Sequence, residues 1–213
     1  MIKSISVIIK KVFDYIFSLL LLICVSPFFL IAVIIVKICS PESPVLFKQE
    51  RVGYKNKTII LYKLRSMTNE CNENGELLPN SVRLKKWGKV IRKTNLDEIP
   101  QIWNILKGEM SLIGPRPILP KEMLIMSQEE QILRQSVLPG ITGWEAVHES
   151  DTVTRRGMAD YDLYYVDNWS LKLDIKIFFL TAFKILAYKR PSDELRAPDI
   201  NKEITVEEDK IKK

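Results

Sequence analysis

Residues 15–36 read YIFSLLLLICVSPFFLIAVIIV and contain no charged side chain. As a straight helix this stretch would be about 33 Å long at ~1.5 Å per residue, which is enough to cross the hydrocarbon core of a bilayer. It is too long for the core of a signal peptide and no small-residue cleavage site follows it, so we expect it to stay in the mature protein. The sequence therefore predicts a membrane segment, and this segment decides the fold.

Two features argue against a plain transmembrane span. Ser26 and Pro27 lie at its centre, and proline removes an amide donor and clashes with the preceding turn, so a kink is expected there. Lys10 and Lys11 precede the segment and Lys37 follows it, so both ends favour the cytoplasmic side. We predict a re-entrant segment, in which a helix, a break and a second helix dip into one leaflet and return. A kinked single span is the alternative.

The chain as a whole has an ordinary globular composition. Its 213 residues allow one domain with an appendage, and 46% hydrophobic with 27% charged residues excludes both wholesale disorder and a polytopic membrane protein. We predict three parts: a basic flank and re-entrant helix at 1–40, a catalytic domain at 41–190, and a polar flexible tail at 191–213. The expected fold class is α+β and mostly helical.

Apolar spacing places the elements of the central part. Short strands at 45–47 and 58–62, joined through a turn at Gly53, predict a β-hairpin. Apolar residues at helical spacing predict further helices, and an amphipathic one at 174–188 could pack on protein or in the membrane interface. An earlier amphipathic helix contains the basic run at 83–93, which would bind phosphate or headgroups, or be a solvated face.

Composition also excludes several chemistries. The chain has 32 Lys and Arg residues against 26 Asp and Glu residues. The resulting net charge of +6 favours anionic partners. His148 is the single histidine, so neither a two-histidine metal site nor a histidine-based hydrolase relay can form within the chain. The three cysteines show no CxxC spacing, and the glycines match neither a GxGxxG fingerprint nor a P-loop.

An adjacent pair of carboxylates, Asp97 and Glu98, is the strongest candidate for chemistry. A structural interpretation is available, since acids favour the first turn of a helix and Asn95 with Glu98 fits a capping box. However, Arg92 lies just upstream and Arg116 follows in a stiff turn between Pro115 and Pro117. Carboxylates near several cations can hold Mg²⁺ against a pyrophosphate, and an ionised aspartate can attack phosphorus.

Five ordered motifs now resemble a known family. They are KLRSM at 63–67, LDEIPQ at 96–101, NILKGEMS at 104–111, GPRP at 114–117 and PGITGW at 139–144. Together they resemble the bacterial sugar transferases, the small monotopic phosphoglycosyl transferases, over about residues 9–190. The resemblance implies transfer of a sugar 1-phosphate from a nucleotide diphosphate sugar, usually a UDP-sugar, to polyprenyl (undecaprenyl) phosphate, with release of UMP. This is the initiating step of bacterial glycoconjugate assembly, at the cytoplasmic face of the inner membrane.

The resemblance also implies roles for individual residues. Asp97 falls on the family's nucleophile, which carries the phosphosugar covalently, and Glu98 falls on its Mg²⁺-associated partner. Ser26 and Pro27 match the break of the family's re-entrant helix. The remaining matches are motif residues implied to bind substrate phosphate or to shape the turn: Arg92, Arg116, Lys63 and Arg65 for phosphate, and Pro115 and Pro117 for the turn.

The match departs after Trp144, where many family members continue AQVNGR and this chain has EAVHES at 145–150. An acidic stretch thus replaces a basic, amide-rich one, which predicts an altered preference for the sugar. His148 could contact the sugar or lie in a solvent-exposed loop. A membrane-tethered nucleic-acid binder and a membrane-anchored scaffold are the rival interpretations. The first lacks a recognisable module and the second needs no carboxylate pair, so we expect no nucleic-acid partner.

Overall fold

A computed structural model describes residues 2–148 and 154–187. Helices dominate, so the predicted class is confirmed, and two small sheets complete the fold. The α-helices are α1 (Ile2–Cys39), α2 (Asn80–Arg83), α3 (Lys86–Lys93), α4 (Ile102–Leu106), α5 (Gln128–Arg134), α6 (Trp144–His148), α7 (Arg155–Asp167) and α8 (Leu171–Leu186). The strands are β1 (Leu46–Val52), β2 (Thr58–Leu64), β3 (Ser111–Ile113) and β4 (Gly140–Thr142), and 3-10 helices cover Tyr54–Asn56, Leu96–Gln101 and Pro120–Ile125.

Helix α1 carries the apolar segment and leaves most of it exposed. Ile23, Phe28 and Leu30 are each more than 60% exposed, and α1 is the one described helix long and apolar enough to cross a membrane. A face of this kind suits lipid rather than water. The helix runs without interruption through Pro27, and the Ser26 hydroxyl donates to the carbonyl of Ile23 at 2.9 Å. Helical structure therefore continues across the expected break, and the re-entrant path stays a prediction.

The described chain divides into two compact units. The first unit contains residues up to Asp14, the segment Glu50–Ile59 and the chain from Gly108 onward. The second unit contains Tyr15–Gln49 and Ile60–Lys107. The predicted tail at 191–213 lies outside the described residues.

The second unit is built around the end of strand β2. Leu64 closes that strand and is buried with Ile91 of α3 and with Ala32 and Val36 of α1. Trp87 packs against the same cluster, which fixes α3 on the strand. The two strands of the predicted hairpin form, and both are longer than the sequence indicated. The predicted basic helix is divided, because α2 ends at Arg83 and α3 begins at Lys86.

The first unit is held by a short parallel sheet and well-capped helices. Strand β3 pairs with β4 in parallel, with Ser111 opposite Gly140. Helix α5 begins with a capping box between Ser127 and Glu130, and α8 begins where the Ser170 hydroxyl accepts from the Leu173 amide. Helix α8 therefore starts three residues before the predicted stretch. Neither the parallel sheet nor helix α7 was expected from the sequence.

Candidate active site

The two carboxylates lie in the 3-10 helix Leu96–Gln101, directly after a sharp change of chain direction. Asn95 has φ 56° and ψ 15°, the left-handed conformation that Asn tolerates better than most residues. Its side chain makes no capping hydrogen bond, so the predicted capping box with Glu98 is wrong. Instead the Glu98 amide donates to the Asn95 carbonyl at 3.0 Å. Asn95 therefore contributes here through its left-handed backbone conformation, which turns the chain into the 3-10 helix.

The turn places the two carboxylates in different surroundings. Asp97 is buried, with 6% of its surface exposed. The Glu98 side chain is 26% exposed and lies 3.8 Å from the ammonium group of Lys63, which is itself 27% exposed. One acid is thus held within the fold while its neighbour meets water and a cation. This division suits one carboxylate that reacts and one that binds charge near a substrate.

The KLRSM motif contributes side chains with two different uses. Lys63 lies near the end of β2 and approaches Glu98. Arg65 donates from Nε to the Pro44 carbonyl at 2.7 Å and from Nη1 to the Asn69 side chain at 2.8 Å. Partial burial and the nearby Arg83 lower the pKa of Arg65. Through these contacts Arg65 connects the segment before β1 to the loop after β2.

Two further side chains fix the neighbouring elements. Arg92, in the last turn of α3, donates from Nε to the hydroxyl of Ser66 at 2.9 Å. Asn104 of α4 is fully buried and donates from Nδ2 to the Ile60 carbonyl of β2 at 2.7 Å. Ser66 and Asn104 belong to the KLRSM and NILKGEMS motifs, but no role was predicted for either. For Asn104 a signal existed, since it is an amide beside Ile102 and Ile105 on the buried face of a short helix.

The Arg116 turn belongs to the first unit and is shaped by backbone contacts. A Cβ on Gly140 would lie 2.1 Å from the Gly114 amide nitrogen, so the two backbone segments are in direct contact with no side chain between them. The Gly140 amide then donates to the Pro115 carbonyl at 2.8 Å, and Arg51 donates to the Pro117 carbonyl at 3.2 Å. The two motif prolines therefore present carbonyls to fixed donors, which supports the structural role predicted for them.

Buried ion pairs surround that turn. Arg134 donates to the Arg116 carbonyl at 2.6 Å and pairs with the buried carboxylate of Asp162. Burial raises the pKa of Asp162, against the opposing effect of Arg134. Burial and the nearby Arg116 lower the pKa of Arg51 to about 10. The cavity beside this turn is lined by both guanidinium groups and carboxylates: Arg116, Arg134, Arg155, Glu122, Glu145 and Asp162.

The divergent stretch after Trp144 faces two environments. Glu145 is buried, with 4% exposed, and lines the same small cavity as Arg116 and Arg134. His148 lies on helix α6, not in an exposed loop, and its Nδ1 is 2.8 Å from the Trp144 carbonyl. Its ring stacks on Tyr161 with centroids 5.2 Å apart. Glu149 and Ser150, the last residues of the stretch, lie outside the described residues.

The sequence-predicted residues thus fall in both units. The second unit holds five of the predicted chemical side chains, and the first holds Arg116 with its two prolines. The five are Asp97, Glu98, Arg92, Lys63 and Arg65. Within the described chain no cluster of three or more acidic, histidine or cysteine side chains could bind a metal by itself. A divalent ion at Glu98 would need oxygen ligands from substrate phosphate and water, which is how Mg²⁺ is commonly held.

The sequence of almost all of the described chain matches one family of known proteins. A family model described as bacterial sugar transferase matches residues 5–188. This chain belongs to the bacterial sugar transferase family. The resemblance noted from the motifs is confirmed, and with it the enzyme class. Membership of this enzyme family favours the transferase over the two rival interpretations, a nucleic-acid binder and a scaffold.

Named relatives of this sugar transferase extend the comparison. The chain is 44% identical over 179 residues to the uncharacterized sugar transferase EpsL of Bacillus subtilis, covering 84% of this chain and 88% of the relative. It is 40% identical over 191 residues to a UDP-glucose:undecaprenyl-phosphate glucose-1-phosphate transferase of Klebsiella pneumoniae, covering 85% of this chain and 41% of that protein. An undecaprenyl-phosphate galactose phosphotransferase of Salmonella typhimurium is 34% identical over 201 residues. The chain spans less than half the length of these last two relatives.

Proposed function

We propose that this sugar transferase moves a sugar 1-phosphate from a UDP-sugar to undecaprenyl phosphate on the cytoplasmic side of the bacterial inner membrane. The observation that carries the proposal is the division of the carboxylate pair, with Asp97 buried and Glu98 facing Lys63. The relatives named as glucose and galactose transferases supply the donor and acceptor class.

The reaction divides into two displacements at one phosphorus atom. In the first, a carboxylate oxygen of Asp97 bonds to the phosphorus that carries the sugar, and the bond to the bridging oxygen of UMP breaks with its electron pair leaving on UMP. In the second, an oxygen of undecaprenyl phosphate attacks the same phosphorus and Asp97 leaves as a carboxylate. Covalent catalysis of this kind uses one group as the carrier in both steps, which predicts ping-pong kinetics.

The remaining side chains manage charge. Lys63 and Glu98 lie together beside the nucleophile, so a diphosphate entering here meets an ammonium group that can balance the developing negative charge. Arg92 is assigned to the donor phosphates and Arg116, in the other unit, to substrate phosphate, because guanidinium groups bind phosphate through two parallel hydrogen bonds. Mg²⁺ held by Glu98 and the substrate would supply further charge neutralisation when bound.

The first unit supports the re-entrant path of α1. Lys10, before the apolar segment, donates to Asp174 of α8 at 2.8 Å and to the Ile113 carbonyl at 2.9 Å. Asp14 accepts from the Ser111 hydroxyl at 2.7 Å. These partners all follow the apolar segment in sequence, and the described chain between them contains no second helix able to cross a membrane. These contacts support a path in which the chain enters and leaves the bilayer on the same side.

Purified full-length protein provides the test of the reaction. UMP release is measured with undecaprenyl phosphate, Mg²⁺ and a panel of UDP-sugars, and intact-protein mass is measured with each donor alone. We expect one donor to give both UMP and a mass increase equal to one phosphosugar. EDTA should stop UMP release and added Mg²⁺ should restore it. Release without any adduct would contradict the covalent route, and no release with any donor would contradict the proposed reaction.

Topology is tested in cells. In a variant whose three natural cysteines are replaced and which carries Ile2→Cys, position 2 should be protected from a membrane-impermeant thiol reagent. Lys10→Asp should allow labelling from outside, because it puts like charges at the Asp174 contact, and adding Asp174→Lys should restore protection. Outside labelling of the Ile2→Cys protein without further changes would mean a true span.

A further inference from the structure

Ser66 has no assigned role in the reaction, but its hydroxyl contacts Arg92, which does. It follows strand β2 and is 8% exposed. A Cβ placed on Gly88 of α3 would lie 1.8 Å from the Ser66 carbonyl oxygen and 2.9 Å from its carbonyl carbon. Helix backbone and loop backbone therefore touch directly, and only glycine permits this approach. The contact fixes the position of Ser66 relative to α3.

The next residues of the loop reinforce this contact. The Thr68 amide donates to the Arg83 carbonyl at 3.1 Å, and Arg83 Nε donates back to the Thr68 carbonyl at 2.8 Å. The loop is thus tied at Ser66 to α3 and at Thr68 to α2. A hydroxyl on so constrained a backbone is itself well placed, because Ser has a single side-chain torsion before its oxygen.

That hydroxyl meets Arg92, one helical turn after Gly88 on the same face of α3. Arg92 Nε donates to Ser66 Oγ at 2.9 Å. Nε lies at the inner corner of the guanidinium plane, so a hydrogen bond there limits rotation of the whole plane and sets the direction of its two outer nitrogens. Asp97 follows Arg92 by five residues, through the turn at Asn95.

We propose that Ser66 is a positioning residue, which orients the Arg92 guanidinium toward the diphosphate of the donor. This inference rests on the proposed function, in which Arg92 binds donor phosphate. Bidentate binding of phosphate depends on the orientation of the guanidinium plane, so an arginine free to rotate binds less well even though its charge is unchanged. Gly88 is the second part of the device, since it lets the loop approach closely enough for the hydroxyl to reach Nε.

A simpler role for Ser66 is packing, and the two roles predict different results. A packing residue contributes to stability and acts independently of the side chain at position 92. A residue that acts through Arg92 loses its effect when Arg92 is gone. The coupling between the two positions, measured in a double-mutant cycle, therefore separates the two roles.

The cycle combines Ser66→Ala with Arg92→Lys in the full-length protein in detergent. UDP is the probe and its dissociation constant is measured by calorimetry, which does not require turnover. With Arg92 present, Ser66→Ala should weaken UDP binding roughly tenfold, the size expected for a hydrogen bond involving a charged group. In the Arg92→Lys protein the same change should have less than about a twofold effect, because Lys has no Nε donor in that place. Ser66→Thr keeps a hydroxyl and serves as the matched rescue variant, and Ser66→Cys replaces Ser66→Ala if the latter does not fold.

The steady-state constants and stability complete the test. We expect Ser66→Ala to raise the donor KM about as much as it weakens UDP binding, with kcat changed less and Tm shifted by less than about 2 °C. Equal losses of UDP affinity in both backgrounds, or a loss of stability without loss of affinity, would overturn the positioning role. Since these outcomes concern UDP affinity, they are distinct from the phosphosugar adduct, whose absence would contradict the proposed function itself.

Discussion

The segment that carries Asp97 and the turn that carries Arg116 are built in opposite ways. Asp97 follows a residue in the left-handed conformation and lies in a 3-10 helix, with Glu98 partly open to water. Arg116 lies in a turn fixed by backbone-to-backbone contacts, glycines and buried ion pairs. The first arrangement accepts some backbone strain where it separates a buried carboxylate from a partly exposed one, whereas the second makes one geometry the only one that fits.

The largest expected effect is at the strained segment. Asp97→Asn keeps the size of the side chain but removes the anion, so we expect turnover to fall at least about a thousandfold while the Tm stays close to that of the unmodified protein. UMP release and intact-protein mass check this, and the mass increase should be absent from the variant. Glu98→Gln is the matched control, which should slow UMP release but still permit an adduct. Normal turnover by Asp97→Asn would show that the nucleophile lies elsewhere.

At the Arg116 turn the main expected effect is on stability. Gly140→Ala places a Cβ 2.1 Å from the Gly114 nitrogen, where neither backbone can move without breaking the β3–β4 pairing. We expect the free energy of unfolding to fall by roughly 3 kcal/mol. Gly75→Ala is the control, because nothing lies within 4 Å of its Cβ and its cost comes from φ +78° alone, about 1 kcal/mol. Chemical unfolding in detergent measures both, and equal losses would contradict the close approach.

Asn95 tests whether strain matters on the other side of the comparison. Asn95→Ala should lower the free energy of unfolding by about 1 kcal/mol, since Ala is less tolerant of the left-handed conformation, and should slow transfer because the turn sets the direction of Asp97. Asn95→Gly should be neutral or slightly stabilising. The pair is compared by unfolding and by initial rates of UMP release. Slower transfer by both variants would indicate that the Asn side chain itself acts in the reaction.

The smallest effect concerns an exposed ion pair of the first unit. A hydrogen bond from Arg156 holds the pKa of Glu130 at about 2, below its usual value of 4.5. Because the folded pKa is the lower one, the stabilisation is complete above pH 4.5 and is lost as pH falls toward 2. Both side chains are partly exposed, so we expect Glu130→Gln to cost less than about 1 kcal/mol at pH 7. Unfolding at pH 7 and pH 3 should show the difference shrinking at the lower pH, and a constant difference would assign it to the helix cap.

The parts of the site that the sequence predicted are those with a local signal. Asp97 and Glu98 form an adjacent acidic pair among basic residues. Residues 15–36 contain no charged side chain, and this signal does not depend on how the rest of the chain packs. The prediction of a capping box at Asn95 was wrong although the residue spacing fits one. The Asn95 backbone is left-handed, and the spacing of residue types does not reveal this conformation. The β3–β4 pairing was missed because each strand has three residues, too few for an alternating pattern.

The contacts missed in the site share a physical cause. Ser66 acts through a hydroxyl whose partner, Arg92, is 26 residues away, and its placement depends on a glycine in a different element. Asn104 donates to a strand carbonyl 44 residues earlier. Contacts at such separations depend on how elements pack, whereas motifs report only which residue types occur together. The packing decides which of those residues bind substrate and which hold the others in place.

The contacts of Lys10 bear on any attempt to make a soluble version of this enzyme. Deleting the membrane helix from the N-terminus would remove the ammonium group that pairs with Asp174, leaving that carboxylate buried beside Tyr165 and Trp169. Asp14, the acceptor for the Ser111 hydroxyl, would be lost with it. The cost of an uncompensated buried charge, roughly 3–5 kcal/mol, is comparable to the whole stability of a small domain. Solubilisation should therefore keep residues 5–14 and replace exposed apolar side chains of α1 instead.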